Sequence, residues 1–226
     1  MNSAPVPAKP SASVVLARDA SDGVEILLLR RNDKVAFHGG AWVFPGGRVD
    51  DSDRQDDADS DDDVAMRAAA REAHEETGLT VSPRDMLQFA HWTTPVELPK
   101  RFSTWFFVAP YTGGETVRVD DSEIVDAQWV KPVDALAQRD QGEIELPGPT
   151  YISLLDFKRF ETVDDLIAAT RADGIRTYVP RIAKGEGFRC AIYAEDAAYE
   201  SLDLDTAGPR HRLVMSRTEW QYLREY

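Results

Sequence analysis

The nine residues Arg71-Glu72-Ala73-His74-Glu75-Glu76-Thr77-Gly78-Leu79 constrain this chain more than any other stretch. On a helix that advances about 100° per residue, Glu72, Glu75 and Glu76 share an arc of roughly 100°, which lets their carboxylates converge on one divalent cation. The flanks suit a helix: Asp61, Asp62 and Asp63 supply N-terminal acid and a cap, 64–73 is rich in alanine, and Gly78 fits a left-handed C-terminal residue. Arg71 lies one turn before Glu75 and can hold that carboxylate without being a ligand. A solvated face is the ordinary explanation of a charged helix. Here no lysine occurs between Lys34 and Lys100 to balance the acids.

A chain of 226 residues with 42% hydrophobic content can bury a full core. Its net charge of −14 argues against a nucleic-acid backbone or an anionic membrane as the main partner. The single cysteine, Cys190, excludes an internal disulfide and is expected to pack within a strand over 188–194. No apolar run approaches the roughly 20 residues of a membrane span. The first residues are rich in Pro, Ala and Ser without the apolar centre of a signal peptide, so a loose tail over 1–12 and a cytoplasmic location are expected.

Strands are expected over 13–18 and 24–31, at 42–44, at 80–81, and over 86–92, 102–111 and 125–130, with a helix opening at Pro132. Trp105, Phe106 and Phe107 suit the core better than a binding box. Pro147-Gly148-Pro149 marks a boundary. Beyond it the pattern predicts helices over 150–160 and 163–172, strands over 176–182 and 211–215, and a last helix carrying Trp220, Tyr222 and Leu223 behind the capping box Ser216-Arg217-Thr218-Glu219. The organisation is therefore a tail (1–12), a main domain (13–146) and a C-terminal α+β extension (147–226) that packs on it, shapes its cleft or joins two copies as a homodimer. No basic recognition helix is present in the extension.

Upstream of the acidic helix, Phe44-Pro45-Gly46-Gly47-Arg48-Val49 gives a proline bend and two glycines that allow close backbone approach. Glycine loop and helix together resemble the Nudix box: a glycine, five residues, Glu, seven residues, Arg-Glu, an aliphatic residue, any residue, Glu-Glu, any residue, Gly and an aliphatic residue. The second half matches, with the small Ala73 at the aliphatic position. Two departures stand out. Asp63 takes the place of the first Glu eight residues before Arg71, and Gly47 precedes it by sixteen residues rather than six. The extra residues fall in the aspartate-rich 50–62 stretch, expected to be an exposed loop inserted before the helix. An EF-hand there lacks its central glycine and final Glu.

The resemblance implies an α/β/α sandwich around a mixed sheet and a Nudix diphosphatase using Mg²⁺ or Mn²⁺. It implies Glu75 and Glu76 as metal ligands, the Gly46 carbonyl as a third contributor, and Glu72 as a further ligand or the base that orients water. Glu123, in a loop six residues before Trp129, is similar in position to a family glutamate that reaches the metals, and equally suits a solvated acidic loop. Arg31, Arg48 and Arg101 are candidates for substrate phosphates or ordinary surface charges. His38, His74 and His91 carry no catalytic signal. Leu27-Leu28-Leu29-Arg30-Arg31, Gly40 and Phe44-Pro45-Gly46-Gly47 are similar in spacing to the motif of the coenzyme A diphosphatase branch, with Leu29 for its threonine and Ala36 for its internal arginine. Pro95, sixteen residues past Leu79, instead resembles the ADP-ribose diphosphatases. The expected substrate is thus a small nucleoside diphosphate derivative of coenzyme A or ADP-ribose type. The rival expectation is a non-catalytic nucleotide-binding or scaffold protein that kept the fold.

Overall fold

The structure, a computed structural model, describes residues 6–35, 38–119 and 122–226. Ala36, Asp120, Asp121 and the first five residues of the expected tail lie outside them. The chain divides into two compact units. The larger comprises 10–90 and 104–176, the smaller the residues up to Lys9 together with 91–103 and 177–226.

Continuously buried runs, Ser11 to Ala17 on one strand and Ile26 to Leu29 on the next, build the larger unit. Strand β1 (Lys9–Ala20) turns at Gly23 into β2 (Gly23–Arg31), antiparallel with Ala17 opposite Ile26. β1 starts four residues before the expected Ser13, so 9–12 are strand rather than loose tail. Next come β3 (Trp42–Val43), β4 (Gly46–Arg48), α1 (Asp61–Thr77), β5 (Leu87–Thr93), β6 (Phe102–Pro110) and β7 (Ile124–Val130), then the helices α2 (Pro132–Asp140), α3 (Gly148–Phe157) and α4 (Val163–Asp173). The sheet runs β3-β2-β1-β6-β5, with β4 also on β1 and β7 also on β2. The expected strand at 80–81 is absent: these residues form the exit from α1, where Leu79 and Val81 pack into the core. By contact α3 and α4 group with this unit.

The core is aliphatic on the sheet and small on the helix. Val14, Leu16, Leu27, Leu29 and Phe107 meet Ala65, Ala68, Ala69 and Ala73 of α1, and the missing bulk on those alanines lets the helix lie close to the strands. Trp105 packs at the rim, where its indole N–H donates to Asp62 at 2.8 Å. The α1 N-cap is Ser60 rather than one of the aspartates: its hydroxyl accepts from the Asp63 amide while Asp63 reaches back to the Ser60 amide. Gly78 ends the helix at φ 72, as expected.

In the smaller unit, β8 (Arg176–Tyr178) is followed by β9 (Arg181–Gly185), β10 (Phe188–Ile192), β11 (Arg210–Ser216) and β12 (Trp220–Glu225). The last four form an antiparallel sheet in the order β12-β11-β10-β9. The expected last helix is therefore strand β12. Ser216 does accept hydrogen bonds from the amides of Thr218 and Glu219, but it does so in a hairpin turn that sets Trp220 opposite Met215 and Tyr222 opposite Leu213. A Ser-x-x-Glu cap serves a helix start or a tight turn alike, and the period-two partners on β11 select the turn. Cys190 is buried in β10, as expected.

Asp196 and Arg212 form the buried ion pair of this unit. Their side chains are 0% and 7% exposed, the guanidinium grips both carboxylate oxygens, and the Ala198 and His211 amides fill the remaining lone pairs. Burial alone raises an Asp pKa, but Arg212 and the two amides outweigh it and hold Asp196 below the usual range. A depressed acid contributes stability at neutral pH that disappears as pH falls through its folded pKa. Asp196→Ala strands the buried Arg212 charge and is expected to cost about 3–5 kcal/mol at pH 7, with the gap from the parent shrinking in strong acid. Urea unfolding of both proteins across pH checks this.

Candidate active site

Along α1, residues 65, 69, 72 and 76 form one stripe at helical spacing. The stripe begins as Ala65 and Ala69 and continues as Glu72 and Glu76. Glu76 is only 8% exposed, at a place where an aliphatic side chain is the rule. Its Oε2 accepts the Gly46 amide at 2.9 Å. Burial pushes its carboxyl up to about 8, against the opposing effect of that amide. Burial also raises Glu72, against Arg71.

The glycine loop is shaped to meet these acids. Gly46 and Gly47 pair with Ser13 and Ala12 of β1, and the Pro45 carbonyl accepts from the Val14 amide at 2.9 Å and the Ser13 hydroxyl at 2.8 Å. A Cβ on Gly46 would lie 2.4 Å from the Ala12 carbonyl oxygen, and one on Gly47 would lie 2.3 Å from the Glu72 carboxylate. Glycine is required at Gly46, where φ is 155 and the β1 backbone blocks a side chain, whereas a side chain at Gly47 would displace the Glu72 carboxylate.

Arg71 ties the parts together. Its Nη1 donates to Glu72 at 2.9 Å and Glu75 at 3.2 Å, its Nη2 to the Arg48 carbonyl at 2.9 Å, and its Nε and Nη2 to the two carboxylate oxygens of Asp53, each at 3.0 Å. Asp53 lies on a short 3-10 turn and its side chain is 5% exposed. Burial raises its pKa, and the bonds from Arg71 and the Asp50 amide override that and hold it low. The 50–62 stretch is thus not simply an exposed loop. Asp53, six residues after Gly47, occupies the position expected of the box's first Glu when counted from the glycine end. Asp63, expected there by counting back from Arg71, instead closes the capping box by accepting the Ser60 amide. A count from both ends of the box would have marked Asp53.

The other candidates are distributed as follows. Arg31 ends β2 with one guanidinium nitrogen 3.8 Å from Glu123, and its Nε is buried with no acceptor among the described residues. Asn32 fastens the Glu123 loop, donating from its amide to the Glu123 carbonyl at 2.8 Å and from its side chain to the Ser122 carbonyl at 2.9 Å. Arg48 has an exposed side chain and meets Arg71 through its carbonyl. Arg101 belongs to the smaller unit, where it donates to the carbonyls of Thr94 and Val6. His74 is exposed, His91 meets Ser103 at 2.7 Å, and His38 holds a left-handed φ of 51.

Among the described residues no three His, Cys, Asp or Glu side chains stand grouped as a cation cage. Glu72 and Glu75 face Arg71, and Glu76 faces the Gly46 amide. The donor chemistry nevertheless fits a hard divalent cation. Glu72 and Glu76 offer carboxylate oxygens on adjacent turns, and burial raises the proton affinity of both, of Glu72 against Arg71 and of Glu76 against the Gly46 amide.

An α/β protein whose helix presents buried carboxylates to a glycine-bearing strand is the class defined by this fold and site. The chain belongs to the NUDIX domain family, which matches residues 7–147. It is 23% identical over 179 residues to a putative nudix hydrolase 7 of Caenorhabditis elegans, covering 64% of this chain and 58% of that protein. It is 26% identical over 136 residues to an acyl-coenzyme A diphosphatase of Xenopus laevis, covering 57% of this chain and 36% of that protein. The chain therefore spans less than two thirds of the length of either relative. A NUDIX hydrolase from Alicyclobacillus acidocaldarius superposes with a TM-score of 0.63 at 23% identity, over 72% of this chain and 96% of that one. The NUDIX domain of Shewanella oneidensis NrtR, solved with ADP ribose, superposes with a TM-score of 0.51 at 16% identity, over 68% and 88%. These structures share the fold.

The two aspartates are separable by mutation. Asp63→Ala, which removes the capping-box bonds back to Ser60, is expected to cost about 0.5–1.5 kcal/mol, the usual net worth of a hydrogen bond. Asp53→Ala, which removes a buried two-pronged bond to a cation, is expected to cost about 1.5–3 kcal/mol. Urea unfolding of both variants ranks them, and a larger loss for Asp63→Ala would contradict the assignment of Asp53 as the partner of Arg71.

Proposed function

We propose that this chain is a Nudix hydrolase dependent on Mg²⁺ or Mn²⁺ that cleaves the diphosphate linkage of a nucleoside diphosphate derivative, of coenzyme A or ADP-ribose type. The observation that carries this reading is the pair of acids on the buried stripe of α1, Glu72 and Glu76, faced by Gly46 and Gly47. A buried acid costs stability, and such a cost is commonly kept where chemistry needs it. Family membership and the hydrolase names of the matched relatives support the same reading.

In this reading Glu72, Glu75 and Glu76, with the Gly46 carbonyl, hold the cation, which when bound neutralises phosphate oxygens and lowers the pKa of water. The chain's own residues do the rest. Arg71 fixes the rotamers of Glu72 and Glu75. Arg31 has a buried N–H in want of an acceptor, which a substrate phosphate oxygen supplies, and Arg48 is a second cation for the same anion. Arg101 is a substrate contact only if its backbone bonds to Thr94 and Val6 are given up. Glu123, beside Arg31, is in this reading a carboxylate outside α1 that orients water.

One observation favours the non-catalytic alternative: the site acids already have protein partners in Arg71 and the Gly46 amide. The alternative predicts tight binding of a nucleotide diphosphate without turnover.

Mass spectrometry of products from coenzyme A, acyl-coenzyme A, ADP-ribose, NADH and diadenosine polyphosphates, with Mg²⁺ or Mn²⁺, separates the two readings. Cleavage by the parent is expected, and Glu76→Gln is expected to lose more than the roughly 10–100-fold that removal of an outer-shell partner costs while its circular dichroism is unchanged. Full activity in Glu76→Gln would refute the site.

A further inference from the structure

The insertion between the glycine loop and α1 is bound to the helix at more than Asp53. Arg67, one turn before Arg71 on α1, donates from Nε to the Asp53 carbonyl at 2.6 Å and from Nη2 to the Asp59 carboxylate. That carboxylate also accepts the amides of Gln55 and Asp56, each at 2.9 Å. Arg54 closes the other side, reaching the Asp59 carbonyl at 2.6 Å and the Asp61 side chain at 2.8 Å. Asp59 is therefore the hub on which the insertion folds.

A solvated acidic loop would leave these groups to water. Instead the side chains of Asp59 and Arg67 are 17% and 21% exposed, and Asp53 is 6% exposed. Lengthening a loop costs little free energy, roughly 0.6 kcal/mol per doubling, but it slackens the geometry it spans. Two arginines one turn apart on a rigid helix restore it. Arg67 holds the main chain of Asp53, and the carboxylate of Asp53 holds Arg71.

We propose that the insertion is a brace for the site, in which Asp59 and Arg67 are positioning residues that fix Asp53 and, through it, Arg71 and the carboxylates of Glu72 and Glu75. The location of the site rests on the reading under Proposed function; the brace itself is a property of the uncomplexed chain.

The test uses the full chain in two measurements. In ¹⁵N-labelled protein without metal, the Arg71 Nε–H is expected to exchange slowly with solvent, and Asp59→Asn and Arg67→Gln are each expected to speed that exchange about tenfold or more. Unchanged exchange in both variants would overturn the brace. Asp59→Asn keeps an acceptor for the two loop amides, so it carries the test if Arg67→Gln does not fold. In the second measurement, Mn²⁺ affinity is read by electron paramagnetic resonance well below the unfolding temperature. Each variant is expected to bind roughly tenfold more weakly, Arg67→Lys to recover part of the loss, and Arg67→Gln to add nothing in an Asp53→Asn background. Parental affinity in variants with a lowered melting temperature would mean a merely structural role and would overturn the proposal. A parent that binds no Mn²⁺ would instead sink the cation reading, and Arg71 exchange alone would then decide for or against the brace.

Discussion

An arginine side chain has five N–H donors in a fixed plane, and Arg71 spends them on five contacts: two oxygens of Asp53, the Arg48 carbonyl, Glu72 and Glu75. Those acceptors come from three separate pieces of chain, the insertion, the glycine loop and α1 itself. The guanidinium thus sets the distance between loop and helix and turns two carboxylates toward the same side. Lysine has the charge without the fork and cannot make this set of bonds.

Around that hub the chain accepts local costs that a purely structural protein would avoid. Glu72 and Glu76 continue a stripe that Ala65 and Ala69 begin in the core, and both resist ionisation where they stand. Gly46 gives up a side chain because β1 fills the space, and the bare backbone of Gly47 leaves the Glu72 carboxylate its place. A helix packed so closely by its alanines leaves the acids little freedom, and restricted freedom is what a site needs in order to meet a ligand without reorganising.

Much of this was legible in residue order. The helix over α1, its Gly78 terminus, the strands around it, the glycine loop and Arg71 as partner of Glu75 all follow from periodicity and from local rules about caps and turns. The errors share a cause: local rules have more than one outcome, and distant partners choose among them. Ser216 caps a turn because Trp220 and Tyr222 find partners on β11. The 50–62 stretch looks like a solvated loop because sequence shows its charge but not Arg67 and Arg71, which face it from the helix. Asp53 is hidden because the inserted residues break the spacing to Arg71, its partner eighteen residues away. The buried Asp196–Arg212 pair was illegible for the same reason, since neither residue carries a local signal and the pairing arises only when the smaller sheet forms.

We propose that this protein takes up a divalent cation at Glu72 and Glu76, set by Arg71 and the glycine loop. Anomalous diffraction from crystals soaked in Mn²⁺ addresses it directly. The predicted result is a Mn²⁺ peak within bonding distance of the Glu72 and Glu76 carboxylates, with the Arg71–Asp53 bonds kept. A Mn²⁺ peak held only by the exposed aspartates of the insertion, with none at Glu72 and Glu76, would contradict it.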